Sequence, residues 1–277
     1  MIKKNIKLGI STCPNDTFMF HALIKGIIET KYNFITELSD IEELNKAAAL
    51  KKYDITKISF SAFFNLMDDY VLLKSGAALG RGCGPIIVAR EKSDFDKFHE
   101  SRIAIPGINT TAALLAGLYG GNDLNFVSMP FYEIMESVKN KKTDFGVIIH
   151  EGRFTYKNYG LVSCIDLGQW WEESFNLPIP LGGIAAKRSL GKNLIKNIEK
   201  KLSESIAHAF EKPEDSKSFI KEYAQEMEEK VIARHIGLYV NKFSLNLEEE
   251  GQRAVETLFS NAFKDNIIKK KSEGIFI

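Results

Sequence analysis

The sequence predicts an α/β fold of two lobes with a cleft between them. Three observations carry this. Short apolar runs of strand length alternate with helical patterns along most of the chain. A strand, a polar turn and a helix start occur together twice, once at the N-terminus and again after Arg102. Between these repeats the character changes near Arg90, where charged residues separate two groups of strands. A chain of 277 residues accommodates one large domain or two ordinary lobes.

Ile6, Leu8 and Ile10 alternate as a first strand, broken by Ser11–Asp16 with Pro14 in the turn. Thr17–Ile28 reads as a helix with Phe18, Phe20, Leu23, Ile24 and Ile27 inward. Its free N–H groups suit an anion, or are simply capped by Asn15 or Asp16. Ile41–Lys52 is a second helix, Asp54–Phe60 a strand, Ser61–Met67 a helix and Val71–Leu79 a strand-like run. Arg81–Pro85 is glycine-rich but lacks nucleotide-binding spacing, so its glycines are read as conformational. Ile86–Ala89 is a short buried strand.

Glu91–Glu100 reads as a charged surface helix, and Arg102–Ile105 starts a new sheet. Pro106-Gly107 turns the chain, and Thr110-Thr111 opens the apolar helix Ala112–Tyr119. Hydroxyls and amides at Thr110, Thr111 and Ala112 suit an anionic group, with N-capping by Thr110 as the plainer reading. Phe126–Met129 and Phe145–Ile149 are strands, with a helix at Phe131–Lys139 between them. His150 stands where the second strand stops. Ligands gather at the carboxyl ends of parallel strands, so this histidine is either a catalyst or a satisfied edge residue. Leu161–Ile165 is a possible strand, Asp166–Glu173 carries Trp170 and Trp171, and Pro178–Gly183 is stiff and extended before a strand at Ile184–Ala186. Helices follow at Leu194–Phe210, Pro213–Glu229 and Glu248–Phe263. His21, His99, His208 and His235 read as packing or exposed residues without partner spacing.

This order suggests a first lobe of residues 1–90 and 187–277, with residues 91–186 inserted as a second, and small ligands between them. The composition is that of an ordinary globular chain, 44% apolar and 26% charged with a net charge of +1. No basic patch favours nucleic acid. Cys13, Cys83 and Cys164 form neither a disulfide framework nor a zinc pattern. No segment has the length of a membrane span and the start lacks a signal-peptide core, so a cytoplasmic protein is expected.

Four motifs add a family. SerThrCysProAsnAspThrPheMetPheHisAla (Ser11–Ala22), GlyArgGlyCysGlyPro (Gly80–Pro85), ValIleIleHisGluGlyArgPheThrTyr (Val147–Tyr156) and LeuGlyGlnTrpTrpGlu (Leu167–Glu172) occur in this order. Together they resemble the 1,4-dihydroxy-6-naphthoate synthases of the futalosine route to menaquinone, from Leu8 to the Val240–Leu245 segment. The resemblance implies a periplasmic-binding-protein-like type II fold with a central interlobe cleft. It implies a lyase acting on cyclic dehypoxanthinylfutalosine without cofactor or metal. The family's catalytic base matches His150, and its substrate-binding positions match Lys57-Ile58-Ser59 and Thr111-Ala112. Where relatives often carry serine after His-Glu, this chain has Gly152. Whether Asn15, Arg81 or Glu151 contacts substrate stays open, as does oligomeric state. The competing readings are a non-catalytic small-carboxylate binder, the chorismate dehydratase of the same pathway, and an effector-sensing domain. The last lacks any DNA-binding module in the sequence.

Overall fold

A computed structural model, which describes residues 3–121, 123–224, 228–268 and 273–277, contains two mixed sheets flanked by helices. The chain opens with β1 (Lys4–Ser11), α1 (Pro14–Ile24), β2 (Tyr32–Ser39), α2 (Ile41–Ala49), β3 (Ile55–Ser59), α3 (Phe60–Asn65), β4 (Tyr70–Leu72) and β5 (Ala78–Gly80). It continues through β6 (Ile86–Ala89), β7 (Arg102–Ile105), α4 (Thr111–Gly120), β8 (Asn125–Ser128), α5 (Ile134–Lys139), β9 (Phe145–Ile148), α6 (Gly152–Thr155), β10 (Val162–Asp166) and α7 (Leu167–Phe175). It ends with β11 (Ile179–Lys187), α8 (Lys192–Glu211), α9 (Lys217–Tyr223), α10 (Glu229–Tyr239), α11 (Lys242–Leu245) and α12 (Glu248–Lys264).

The first sheet runs β2-β1-β3-β11-β4, with β5 also paired to β11. Its β1, β2 and β3 are parallel, and β11 is antiparallel to β3. The second sheet runs β10-β6-β9-β7-β8, with β7, β8 and β9 parallel and β6 antiparallel to β9. In β3, β6 and β9 every residue is buried, as expected of strands covered on both faces. Gly146 in β9 allows α5 to lie close, since a Cβ there would stand 2.5 Å from the Ile134 side chain. The helices α8, α9 and α10 pack on α1 and cover the first sheet.

Sheet membership differs from the division expected at residues 90 and 187. The strand β6 belongs to the second sheet and β11 to the first, so the chain crosses at Arg81–Pro85 and again between α7 and β11. The charged stretch after Arg90 is a surface 3-10 helix, Lys92–Glu100, and marks no crossing. The stiff Pro178–Gly183 segment is largely the first half of β11 rather than a connection. Leu167-Gly168 closes the first crossing. The Leu167 N–H donates to the Pro85 carbonyl at 3.0 Å, and a Cβ on Gly168 would meet the Cys83 carbonyl oxygen at 1.7 Å. A side chain at 168 is therefore excluded by backbone. One apolar cluster runs through both sheets, including Phe60, Phe63, Ile87, Ile103, Phe145 and Ile179.

The strand β2 is missing from the sequence reading, although Tyr32, Phe34 and Leu38 alternate along it. It is an edge strand with one half-buried face, which weakens the apolar signal. Val71–Leu79 is two short strands, β4 and β5, separated by a bend with Gly76 at φ 86°.

Candidate active site

The carboxyl ends of β1 and β3 in one sheet and of β7 and β9 in the other face a common cleft of about 650 Å³, counting its open mouth. It lies at the strand ends where such folds bind ligands. Its lining includes Ser11, Asn15, Lys57, Ser59, Thr110, Thr111, Ala112, His150 and Gly182. Of the residues expected at the site, Ile58 alone does not line it. Side chains alternate along β3, so Lys57 and Ser59 face the cleft while Ile58 is fully buried in the apolar core.

His150 follows β9 with φ 55°, a left-handed conformation that costs a non-glycine residue energy and recurs at functional sites. Its ring is partly buried, with the Phe131 ring at 5.0 Å in an edge-on arrangement. The Cys13 sulfur lies 3.5 Å from both Nδ1 and Nε2. Equal distances to both nitrogens put the sulfur over the ring face, not on either in-plane lone pair. Burial lowers the His150 pKa to about 4; the Asp16 charge opposes this and Lys57 reinforces it. The resting ring is thus neutral at neutral pH and able to accept a proton. A side chain at Gly152 would be accommodated, because a Cβ there meets only ordinary contacts, the nearest at 3.4 Å.

Opposite His150 stands a buried charge pair. Lys57 Nζ lies 3.0 Å from Asp16 Oδ1, and the two side chains are 7% and 0% exposed. The ammonium makes no hydrogen bond of acceptable geometry among the described residues, so its protons remain available. The Asp16 carboxylate accepts from the Ser11 N–H at 3.2 Å and from Asn15 Nδ2 at 2.8 Å. Neither Asn15 nor Asp16 caps α1; the N-cap is Cys13, with no side-chain bond. The carboxylate near the α1 start is therefore the chain's own, which leaves the other helix start for an external anion.

At α4, Thr110 is the N-cap: its hydroxyl accepts from the Ala113 N–H at 3.2 Å and donates to the Gly107 carbonyl at 2.7 Å. Its hydroxyl is thus committed to the turn, while Thr111 and Ala112 occupy the first helical positions, whose N–H groups have no partner within the helix. Thr111 Oγ1 accepts from the Ser61 N–H at 3.4 Å, joining α4 to α3. Ser59 is held by Asn45 on two sides, N–H to Oδ1 at 2.9 Å and Oγ accepting from Nδ2 at 3.0 Å, which leaves its hydroxyl proton to donate elsewhere. Gly182 on β11 is needed here, because a Cβ would press on the Ile58 carbonyl oxygen at 2.7 Å. The cleft is bridged at one side: Asn109 Nδ2 donates to Glu42 Oε1 at 2.8 Å, and a Cβ on Gly107 would collide with that carboxylate at 2.4 Å.

The cleft also holds a histidine to which the sequence assigned no role there. His235, expected to be structural or exposed, is 1% exposed and lines the cleft from α10. Its Nε2 is 3.0 Å from Asn15 Oδ1 and its ring centre 5.9 Å from that of His150. The available signal was its place beside Val231, Ile232 and Tyr239 on one apolar face of α10. Arg81 points elsewhere, pairing with Glu250 at 3.0 Å. No group of three or more potential metal ligands occurs among the described residues.

A family model described as "Menaquinone biosynthesis" matches residues 6–264. The 1,4-dihydroxy-6-naphthoate synthase of Thermus thermophilus is 41% identical over 272 residues, covering 98% of this chain and 99% of that protein. Its namesake in Streptomyces coelicolor is 39% identical over 273 residues, covering 97% and 96%. A crystal structure of an Archaeoglobus fulgidus protein superposes with a TM-score of 0.90 at 34% identity, covering 95% of this chain and 98% of that one. The ligand-binding component of a Staphylococcus aureus ABC-type import system superposes at 0.71 with 11% identity, covering 99% and 96%, which is a likeness of fold alone. The fold is therefore periplasmic-binding-protein-like, and the chain belongs to the 1,4-dihydroxy-6-naphthoate synthase family of menaquinone biosynthesis.

Proposed function

We propose that this chain is a lyase converting cyclic dehypoxanthinylfutalosine to 1,4-dihydroxy-6-naphthoate, with His150 as the proton acceptor. The observation that carries the reading is His150 itself. It is a neutral imidazole held in a strained backbone conformation at a strand end, with its in-plane lone pair unclaimed by Cys13. Removing a proton from a substrate carbon leaves its electron pair to enter the forming aromatic ring as the bond to the sugar-derived remnant breaks. Aromatisation supplies driving force, so the step calls for a positioned base and a dry, oriented substrate rather than a redox group.

The other cleft residues fit this task. The Lys57 ammonium and the first amides of α4, at Thr111 and Ala112, are the groups to receive the substrate carboxylate. Ser59 offers a hydroxyl donor fixed by Asn45. Placing a carboxylate beside Lys57 offsets the positive charge that helps depress the His150 pKa, so substrate binding raises the basicity of its own base. A cytoplasmic site of action belongs to the same reading. The test is incubation of the protein with cyclic dehypoxanthinylfutalosine and, separately, with chorismate, followed by mass spectrometry. The dihydroxynaphthoate is expected from the first and nothing from the second. Dehydrated chorismate, or a bound and unchanged first ligand, would replace this reading with the dehydratase or the binder.

A further inference from the structure

The cleft contains a polar atom that the chemistry above does not use. His235 Nδ1 is buried and has no hydrogen-bond partner among the described residues. Its protonation follows from the network around it. Asn15 Nδ2 donates to Asp16 Oδ1 at 2.8 Å, so the Asn15 group facing His235 at 3.0 Å is the carbonyl oxygen, an acceptor. His235 must therefore donate from Nε2, and a neutral ring with its hydrogen there presents Nδ1 as a bare acceptor. Burial, with the nearby His150 and Lys57, keeps the ring neutral by pushing its pKa well below the ordinary value.

A buried acceptor with nothing to accept from is costly, and such groups in native proteins call for an explanation. Here the ring lines the cleft, and one of its nitrogens is already fixed to Asn15 on α1. The chain Lys57–Asp16–Asn15–His235 thus runs along one wall with a cation at one end and an unused acceptor at the other. A ligand matching both ends carries an anionic group and a hydroxyl. On the reading of function given above, we propose that His235 Nδ1 accepts a hydrogen bond from a ring hydroxyl that persists in the dihydroxynaphthoate, making His235 a specificity-determining residue. No proton is transferred to it; His150 remains the base.

The proposal separates His235 from a merely structural histidine, because the two nitrogens can be mimicked one at a time. His235→Gln places an amide nitrogen near the Nε2 position and no polar atom at Nδ1, so the bond to Asn15 is kept and the acceptor is lost. His235→Asn keeps a polar oxygen at the Nδ1 position and gives up the reach to Asn15. The experiment is anaerobic calorimetric titration of wild type and both variants with 1,4-dihydroxy-6-naphthoate and with hydroxyl-free 2-naphthoate. Wild type is expected to prefer the dihydroxy acid by about 10- to 100-fold, the worth of satisfying one buried partner. His235→Gln should lose that preference while holding 2-naphthoate as wild type does, and His235→Asn should retain it. Equal affinities of wild type for the two acids, a preference that survives His235→Gln, or a His235→Gln loss of the same size for both acids overturns the assignment. Turnover of cyclic dehypoxanthinylfutalosine by wild type is scored alongside. A turning-over enzyme without hydroxyl preference sinks only the His235 assignment. A protein that neither turns over nor binds either acid sinks the functional reading and the assignment with it.

Discussion

Replacing His150 with asparagine should change how stability depends on pH. Asparagine tolerates the left-handed backbone at this position better than other non-titrating residues, so the variant isolates the ring. The folded ring has its pKa lowered from 6.5 to about 4, chiefly by burial. The unfolded state therefore binds more protons between these values, and His150 lowers stability as pH falls through that window. Above the unfolded value its contribution is constant. At pH 5 the penalty is about 2 kcal/mol, and well below pH 4 it levels off near ~3 kcal/mol. Urea unfolding of wild type and His150→Asn at pH 8 and pH 5 measures it. Other groups titrate in both proteins, and the difference of differences removes them. Wild type should lose about 2 kcal/mol more than the variant between the two pH values. Identical losses would mean that the ring keeps an ordinary pKa, as a solvated imidazole does, and the case for a neutral base at rest would fail.

Four further substitutions test the supporting architecture. Asp16→Asn leaves the buried Lys57 ammonium without its counter-charge and should destabilise the protein by about 3–5 kcal/mol in urea titrations, as breaking buried pairs does. Gly168→Ala drives a methyl into the Cys83 carbonyl and should cost about 3 kcal/mol or more by the same assay, whereas Gly152→Ser should fall within about 0.5 kcal/mol of wild type. Glu42→Ala removes the acceptor of Asn109 across the cleft mouth. It should raise KM several-fold with little change in kcat, because it loosens closure without touching the base.

The strand ends and helix starts that carry the site were legible because local chemistry marks them. An apolar run ending in histidine and a Thr-Thr pair after Pro-Gly are patterns within single short segments. Lys57 and Ser59 entered through family resemblance, since nothing local distinguishes a strand lysine that will be buried beside Asp16 from one that will face water. The place of His235 in the cleft was not legible for a related reason. Its partners, Asn15 and His150, are 220 and 85 residues away in sequence, the second being the difference of the two residue numbers. The crossings were misplaced because a charge-rich surface 3-10 helix resembles a boundary in one dimension, and because Pro180, Gly182 and Gly183 hide a strand. In three dimensions Gly182 is what lets β11 pass close to the Ile58 carbonyl of β3.

The measurement that bears most directly on this account is single-turnover conversion of cyclic dehypoxanthinylfutalosine by wild type and His150→Asn, with ligand affinity determined on both. The account predicts naphthoate formation by wild type. It predicts a variant that binds nearly as tightly but is slowed by at least about 100-fold, the lower end of what a positioned base contributes. Equal rates in the two proteins would contradict it and return His150 to the role of a structural residue.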